Sequence, residues 1–310
     1  MDLIRTRWFD LGLLFAGHSI VVGITWFLRT RAIFTATWVF VAHLLLAGLL
    51  LFGANKLKSC RVNWVANATI LVPWVLWLTA WSEIGWLYET SAPVFFDEAI
   101  INLDLVVFGS HLNDYLPRQL AGPVWREFFT GIYFSYYLLI LGPPLVLVIR
   151  RRWSNLLDHT FGLMLTYLIC FTIYLILPVQ GPRDMALVAG TLAEADFTGF
   201  FPPLMDALFR SGDSLGTAFP SSHCAGAVAS AILCCRFFSA RIGLACLVWA
   251  SLIVVSTIHT NNHYAIDSLA GVALAQLVGF REAYHAKGTR YWSHRIHRQT
   301  SGASTRGARI

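Results

Sequence analysis

The residues best suited to chemistry lie near the C-terminus, in the stretch Ser256-Thr-Ile-His-Thr-Asn-Asn-His-Tyr-Ala-Ile-Asp267 between two apolar runs. If the run after it is helical, His263 and Asp267 share one face, four residues apart. A carboxylate so placed holds an imidazole in one tautomer and raises its basicity, which a histidine nucleophile needs. Steps of four beyond Asp267 reach Gly271, Ala275 and Gly279, so the same face is small enough for a neighbouring helix to come close. Read plainly, the stretch is a polar loop whose histidines cap a membrane helix, and partners elsewhere must decide.

Two partners are present. Gly181-Pro-Arg183 offers a planar, permanently charged fork suited to phosphate oxygens, or merely an interfacial anchor. Phe219-Pro-Ser-Ser-His223 opens an apolar run, with Pro220 expected in the first helical turn. The amides of Ser221, Ser222 and His223 would then form an anion site, with the two hydroxyls as added donors. The plainer reading is a serine cap and one interfacial histidine. One cation, a helix N-terminus, two histidines and an aspartate together match phosphoryl transfer through a phosphohistidine. His263 attacks phosphorus and Asp267 steadies it. Arg183, Ser221 and Ser222 hold the oxygens, and His223 protonates the departing group. This chemistry calls for no metal and no cofactor.

The elements that must position these residues are membrane helices. Of 310 residues 56% are hydrophobic and 13% charged, with mean hydropathy +0.60, well away from a soluble domain. Uncharged runs of spanning length recur at Leu11–Leu28, Ala32–Asn55, Val62–Ser82, Phe128–Ile149, His159–Pro182, Ser214–Cys235 and Ile242–Ile266, and Ser268–Phe280 completes an eighth helix. The expected fold is all-α, a polytopic membrane bundle of about eight transmembrane helices. It divides into N-terminal helices (1–90), a catalytic membrane domain (91–280) and a basic tail (281–310). The first run lacks a small-residue cleavage site and is long enough to stay in the membrane. Six cysteines, mostly inside apolar runs and without a Cys-x-x-Cys pair, suggest neither a disulfide framework nor zinc.

The net charge of +6 equals the excess in the tail, seven Lys/Arg against one acid from Arg281 onward. Such a tail marks the cytoplasmic side more readily than it binds nucleic acid. With both termini cytoplasmic, 17 of the 23 basic residues fall inside and 6 outside. The three motifs then land together on the outer face, periplasmic, extracellular or luminal. Two connectors share that side. Glu83–Arg126 suits one or two amphipathic interfacial helices, and Gln180–Gly216 a loop with a short helix near Leu204–Phe209.

The motifs resemble the type 2 phosphatidic acid phosphatase superfamily, whose pattern is Lys-x6-Arg-Pro, Pro-Ser-Gly-His and Ser-Arg-x5-His-x3-Asp. Pro220-Ser221-Ser222-His223 matches the second element with Ser for Gly, and Ser256-Thr257-x5-His263-x3-Asp267 the third with Thr for Arg. The first survives as Arg183 in Gly-Pro-Arg, with Ile176 at the lysine position. These departures, with Asn102–Gly109 and Tyr133-Phe-Ser-Tyr-Tyr137, resemble the branch of fungal inositol phosphorylceramide synthase and, more distantly, the sphingomyelin synthases. The resemblance spans roughly 104–280. It implies a six-helix catalytic core acting on membrane lipids, moving a phospho-head-group from a phospholipid donor to a lipid hydroxyl, or to water in a lipid phosphate phosphatase. Fewer cations favour a phosphodiester over a monoester.

Other classes have their own signals. His259-x3-His263 is also a metal-box spacing, though membrane di-iron enzymes need several boxes and no His-x-x-His-His occurs. A transporter would place ionisable groups at mid-membrane in repeated halves, and no repeat is visible. A lipid-binding protein without turnover remains compatible with the missing cations. His18, His43 and the tryptophans, Trp77 and Trp81 among them, read as packing or interfacial-belt residues.

Overall fold

The computed structural model describes residues 2–29, 33–56, 72–91, 94–185, 198–212 and 214–279. The basic tail, the first part of the run Val62–Ser82 and residues 186–197 lie outside the described residues. In order the helices are α1 (Asp2–Arg29), α2 (Ile33–Lys56), α3 (Val72–Thr90), α4 (Asp97–Phe108), α5 (Leu112–Gln119), α6 (Pro123–Phe134), α7 (Tyr136–Ile149), α8 (Trp153–Ile176), α9 (Phe201–Gly212), α10 (Ser222–Phe237) and α11 (Ala240–His259). The apolar helix α12 (Ala265–Gly279) follows. Among the described residues there is no strand, only an isolated parallel bridge from Val179 to Thr217.

All eight apolar runs hold a helix, so the chain is an all-α membrane bundle. Phe9–Leu28, Pro123–Ile149, Trp153–Ile176 and Ala240–His259 are long and apolar enough to cross a membrane, while Thr37–Leu49, Ser222–Phe237 and Ala265–Gly279 are shorter apolar helices. The third differs most from expectation. Rather than ending at Ser82, α3 runs on to Thr90 and carries Glu83 inside it. That carboxylate is tolerated because it accepts a hydrogen bond from the Trp26 indole (3.2 Å) and pairs with His43 Nε2 (3.0 Å). The expected connector therefore begins after α3. It holds two short helices, α4 and α5, and the helix expected near Leu204–Phe209 is α9.

Helix α8 is the axis of the bundle. Of its apolar window 72% is buried, against 33–50% for the other three spans, and α1, α3, α7 and α10 all pack on it. Small residues permit the closest approaches. The Tyr167 hydroxyl of α8 occupies the space a Cβ at Gly226 of α10 would need. The small face expected beyond Asp267 is also used. A Cβ on Gly271 would run into the Ser221 carbonyl and lie 3.1 Å from Ala225 N, and one on Gly279 would lie 3.0 Å from Ile232 Cγ2.

Because the obstacle at Gly271 is backbone, Gly271→Ala should destabilise the protein by about 1–3 kcal/mol. Gly48→Ala, with nothing within 4 Å of the new carbon, should be neutral or stabilising by about 0.5–1 kcal/mol. Thermal unfolding of the purified variants reads both, and equal melting temperatures would contradict the close α10–α12 packing.

Candidate active site

All three motifs meet at one end of the bundle, where α8 and α11 finish and α10 and α12 begin. After α8 the chain bridges from Val179 to the segment before α10, with Ala218 N donating to Val179 O at 2.9 Å. Gly181 then turns with φ of 102°, and a Cβ there would lie 3.3 Å from Ala218 Cβ and 3.4 Å from Asn262 O. This turn sets Arg183 against both other motifs. Its guanidinium donates to Asn262 Oδ1 and lies 3.2 Å from the centroid of the Phe209 ring, a cation held by a face and an amide.

His263 sits in the turn between α11 and α12 and is 5% exposed. Its Nδ1 is 3.0 Å from the Ala218 carbonyl, an acceptor, which puts the ring proton on Nδ1 and leaves the Nε2 lone pair available. Asp267 Oδ2 lies 3.8 Å from the same nitrogen and accepts from Tyr264 N at 2.8 Å. The nearest orienting group is thus a backbone carbonyl, with the carboxylate behind it at Coulombic rather than hydrogen-bond range. Burial, then the neighbouring His223 and Arg183, hold His263 well below the ordinary histidine pKa against the opposing pull of the Ala218 bond.

His223 faces it across 5.7 Å between ring centroids. Its Nε2 shares a 3.0 Å hydrogen bond with the Tyr133 hydroxyl, and the ring packs between Tyr133 and Tyr136 at 4.9 and 4.6 Å. The expected amide cradle is mostly spent inside the protein. Pro220 precedes the helix instead of opening it, and Ser221 is the N-cap, its hydroxyl accepting from Cys224 N at 3.2 Å. Ser221 N donates to Asp267 O (3.0 Å) and Ser222 N to the Tyr174 hydroxyl (3.1 Å). Among the described residues only His223 N–H in that turn meets no protein acceptor.

A cavity of about 230 Å³ opens between these groups. Arg183, Ser222, His223, Asn262 and His263 line its polar end, while Ser221 and Asp267 stand behind the wall. Trp77 and Trp81, read above as packing or belt residues, line it too. Thr257, at the position of the pattern's arginine, is fully buried and bonded to Val254 O (2.7 Å) and Ser268 Oγ (3.0 Å). Ile176, at the lysine position, is 60% exposed. His259 lies apart from the cavity, its Nε2 on Leu120 O at 3.0 Å and its ring stacked on Phe129.

The residues that hold the motifs together were not singled out above. Asp97 and Asp104 of α4, inside the connector expected to form interfacial helices, are 6% and 1% exposed. Asp97 accepts from Gln180 N and Gly181 N, both at 3.0 Å, and from the Tyr264 hydroxyl at 3.1 Å, tying the first motif to the third. Asp104 accepts from Ile266 N at 2.8 Å, capping the start of α12. Asn113 of α5, fully buried, donates to His263 O at 2.8 Å. Their signal in the sequence was the spacing, since two acids seven residues apart share a helix face.

Asp97→Asn keeps the shape but sets an amide group against donors. It should cost about 1.5–3 kcal/mol of stability and, by letting Arg183 drift from His263, lower any turnover at this site at least about tenfold. Melting and turnover measured together check this, and unchanged values would show that the carboxylate positions nothing.

Residues 98–280, more than half the chain and all three motifs, match the family model described as the PAP2 superfamily. No curated protein and no solved structure matches the chain. With its three motifs brought together at one end of a helical membrane bundle, the chain belongs to the PAP2 superfamily.

Proposed function

We propose that this protein transfers a phospho-head-group between membrane lipids through a phosphohistidine, in the manner of inositol phosphorylceramide synthase. The observation that carries the reading is the charge of the cavity. Among the described residues lining it, Arg183 is the one cation, and the pattern's other two cationic positions are Ile176, turned away, and Thr257, buried. A phosphodiester carries one charge where a monoester carries up to two, so a single arginine suits the diester.

In the first half-reaction His263 Nε2 attacks phosphorus, the bond to the leaving oxygen breaks, and His223 gives that oxygen a proton. Arg183, Ser222 and the His223 amide hold the non-bridging oxygens, while Ala218 O and Asp267 stabilise the charged ring of His263. In the second, an acceptor hydroxyl gives its proton to His223 and attacks phosphorus, and the P–N bond breaks. Ser221 serves by capping α10. No step requires a metal.

Sidedness follows from charge. Arg152 donates to Phe237 O at 2.7 Å and Arg236 pairs with Asp158 at 3.7 Å, at the end of α8 and α10 remote from the cavity. By the positive-inside rule that end is cytoplasmic and the cavity faces the other side.

Purified protein in vesicles containing chelator, given phosphatidylinositol with ceramide or diacylglycerol, should form a new phospho-head-group lipid only when the acceptor is present. His263→Ala should lower the rate by about 10³-fold or more. Free phosphate from phosphatidate as the favoured reaction would instead make the protein a lipid phosphatase, and undiminished turnover in His263→Ala would remove the nucleophile assigned here.

The pH profile is a separate check. A nucleophilic imidazole works when neutral, and its lowered pKa keeps it neutral below 6.5, the ordinary histidine value. The acid limb of kcat/KM should therefore lie below pH 6.5, and a limb above that value would contradict the environment described for His263.

A further inference from the structure

Helix α3 lies outside the residues that match the superfamily, yet it forms a wall of the cavity. Trp77 stands 5.4 Å from Tyr167 and Trp81 5.7 Å from Phe171, ring centroid to ring centroid, both against α8. The wall is fixed from two sides. Towards the catalytic end, the Tyr88 hydroxyl donates to Tyr174 O at 2.6 Å, and a Cβ on Gly85 would lie 2.9 Å from Ser214 Oγ. Towards the N-terminal helices, Glu83 holds Trp26 and His43.

The cavity is polarised along its length. Arg183, His223 and His263 stand at one end. Trp77, Tyr167 and Phe171 at the other are shared with an apolar crease that continues between α1, α3 and α8, past Leu11, Phe15, Leu76, Ala80, Met164 and Leu168. A group passing from the histidines toward the crease therefore leaves hydrogen-bonding surface for aromatic faces and then for aliphatic side chains. Among the described residues no carboxylate lines the cavity and Arg183 does, so a cationic head group would meet its charge only on aromatic faces.

We propose that Trp77 and Trp81 are specificity-determining residues that seat the hydrocarbon chain next to the reacting phosphate, with the crease behind Trp77 taking its continuation. This rests on the phosphate-binding reading of the polar end. It makes α3 part of the substrate site rather than a membrane anchor, and moves the functional boundary of the domain back from residue 91 to include Trp77.

Binding of alkylphosphonates from ethyl to octyl, to protein in nanodiscs and referenced to empty nanodiscs, tests this without requiring turnover. Wild type should bind octylphosphonate at least about tenfold more tightly than ethylphosphonate, since each buried methylene adds affinity. Trp77→Ala should reduce that ratio to about threefold or less while changing ethylphosphonate affinity less than about twofold, and Trp77→Phe should keep most of the ratio. A chain-length dependence identical in wild type and Trp77→Ala overturns the proposal, as does phosphocholine binding more tightly than octylphosphonate. Arg183→Gln separates the two readings. If it weakens every phosphonate while Trp77→Ala changes none, only the chain site falls. If Arg183→Gln has no effect, or no phosphonate binds at all, the phosphate-binding reading falls and this proposal with it.

Discussion

The cavity end of the bundle hangs from two buried carboxylates on a short helix. Asp97 gathers the amides of Gln180 and Gly181 and the hydroxyl of Tyr264, and Asp104, two turns along, takes the amide of Ile266. The segment bearing Arg183 and the turn bearing His263 are more than seventy residues apart in sequence, and the first has only a single 3-10 turn, Pro182–Asp184, of its own. Charge-assisted bonds to backbone donors are the means by which a buried carboxylate orders such segments. Removing one acceptor leaves several donors unsatisfied at once, so the cost exceeds that of a single surface contact.

That constraint explains the geometry at His263. With Gly181 so close to Ala218 and Asn262 that an added Cβ would meet both, the Ala218 carbonyl falls on Nδ1 at 3.0 Å, leaving Asp267 at 3.8 Å. A neutral ring is therefore oriented by a dipole, while a charge arising on that ring is felt by the carboxylate behind it. In a buried site the second interaction grows as charge develops, the differential stabilisation that catalysis requires.

Much of this was legible in the sequence because it depends on spacing. His263 and Asp267 face one another at four residues, and the Gly271–Gly279 face meets α10 as its small residues imply. What was not legible has three physical sources. A backbone carbonyl such as Ala218 O leaves no mark on residue type. In a bundle surrounded by lipid, hydropathy does not distinguish core from exterior. The Leu103, Leu105 and Val106 side chains of α4 are exposed while Asp97 and Asp104 are buried, the reverse of the aqueous rule. A proline before a serine cap and a proline in the first turn look alike until the cap is seen, and the difference decides whether the Ser221 and Ser222 amides are free. Trp77 and Trp81 belong with the second case, since tryptophan on a membrane helix is ordinarily a belt or packing residue.

The stereochemical course at phosphorus distinguishes transfer through His263 from direct transfer. A donor phosphodiester made chiral at phosphorus by isotopic or sulfur substitution would be turned over, and the configuration of the transferred head group determined. Transfer through His263 consists of two in-line displacements, each inverting the centre, so the product should show net retention. Net inversion would mean that the acceptor attacks the donor directly, and that His263 is not a nucleophile.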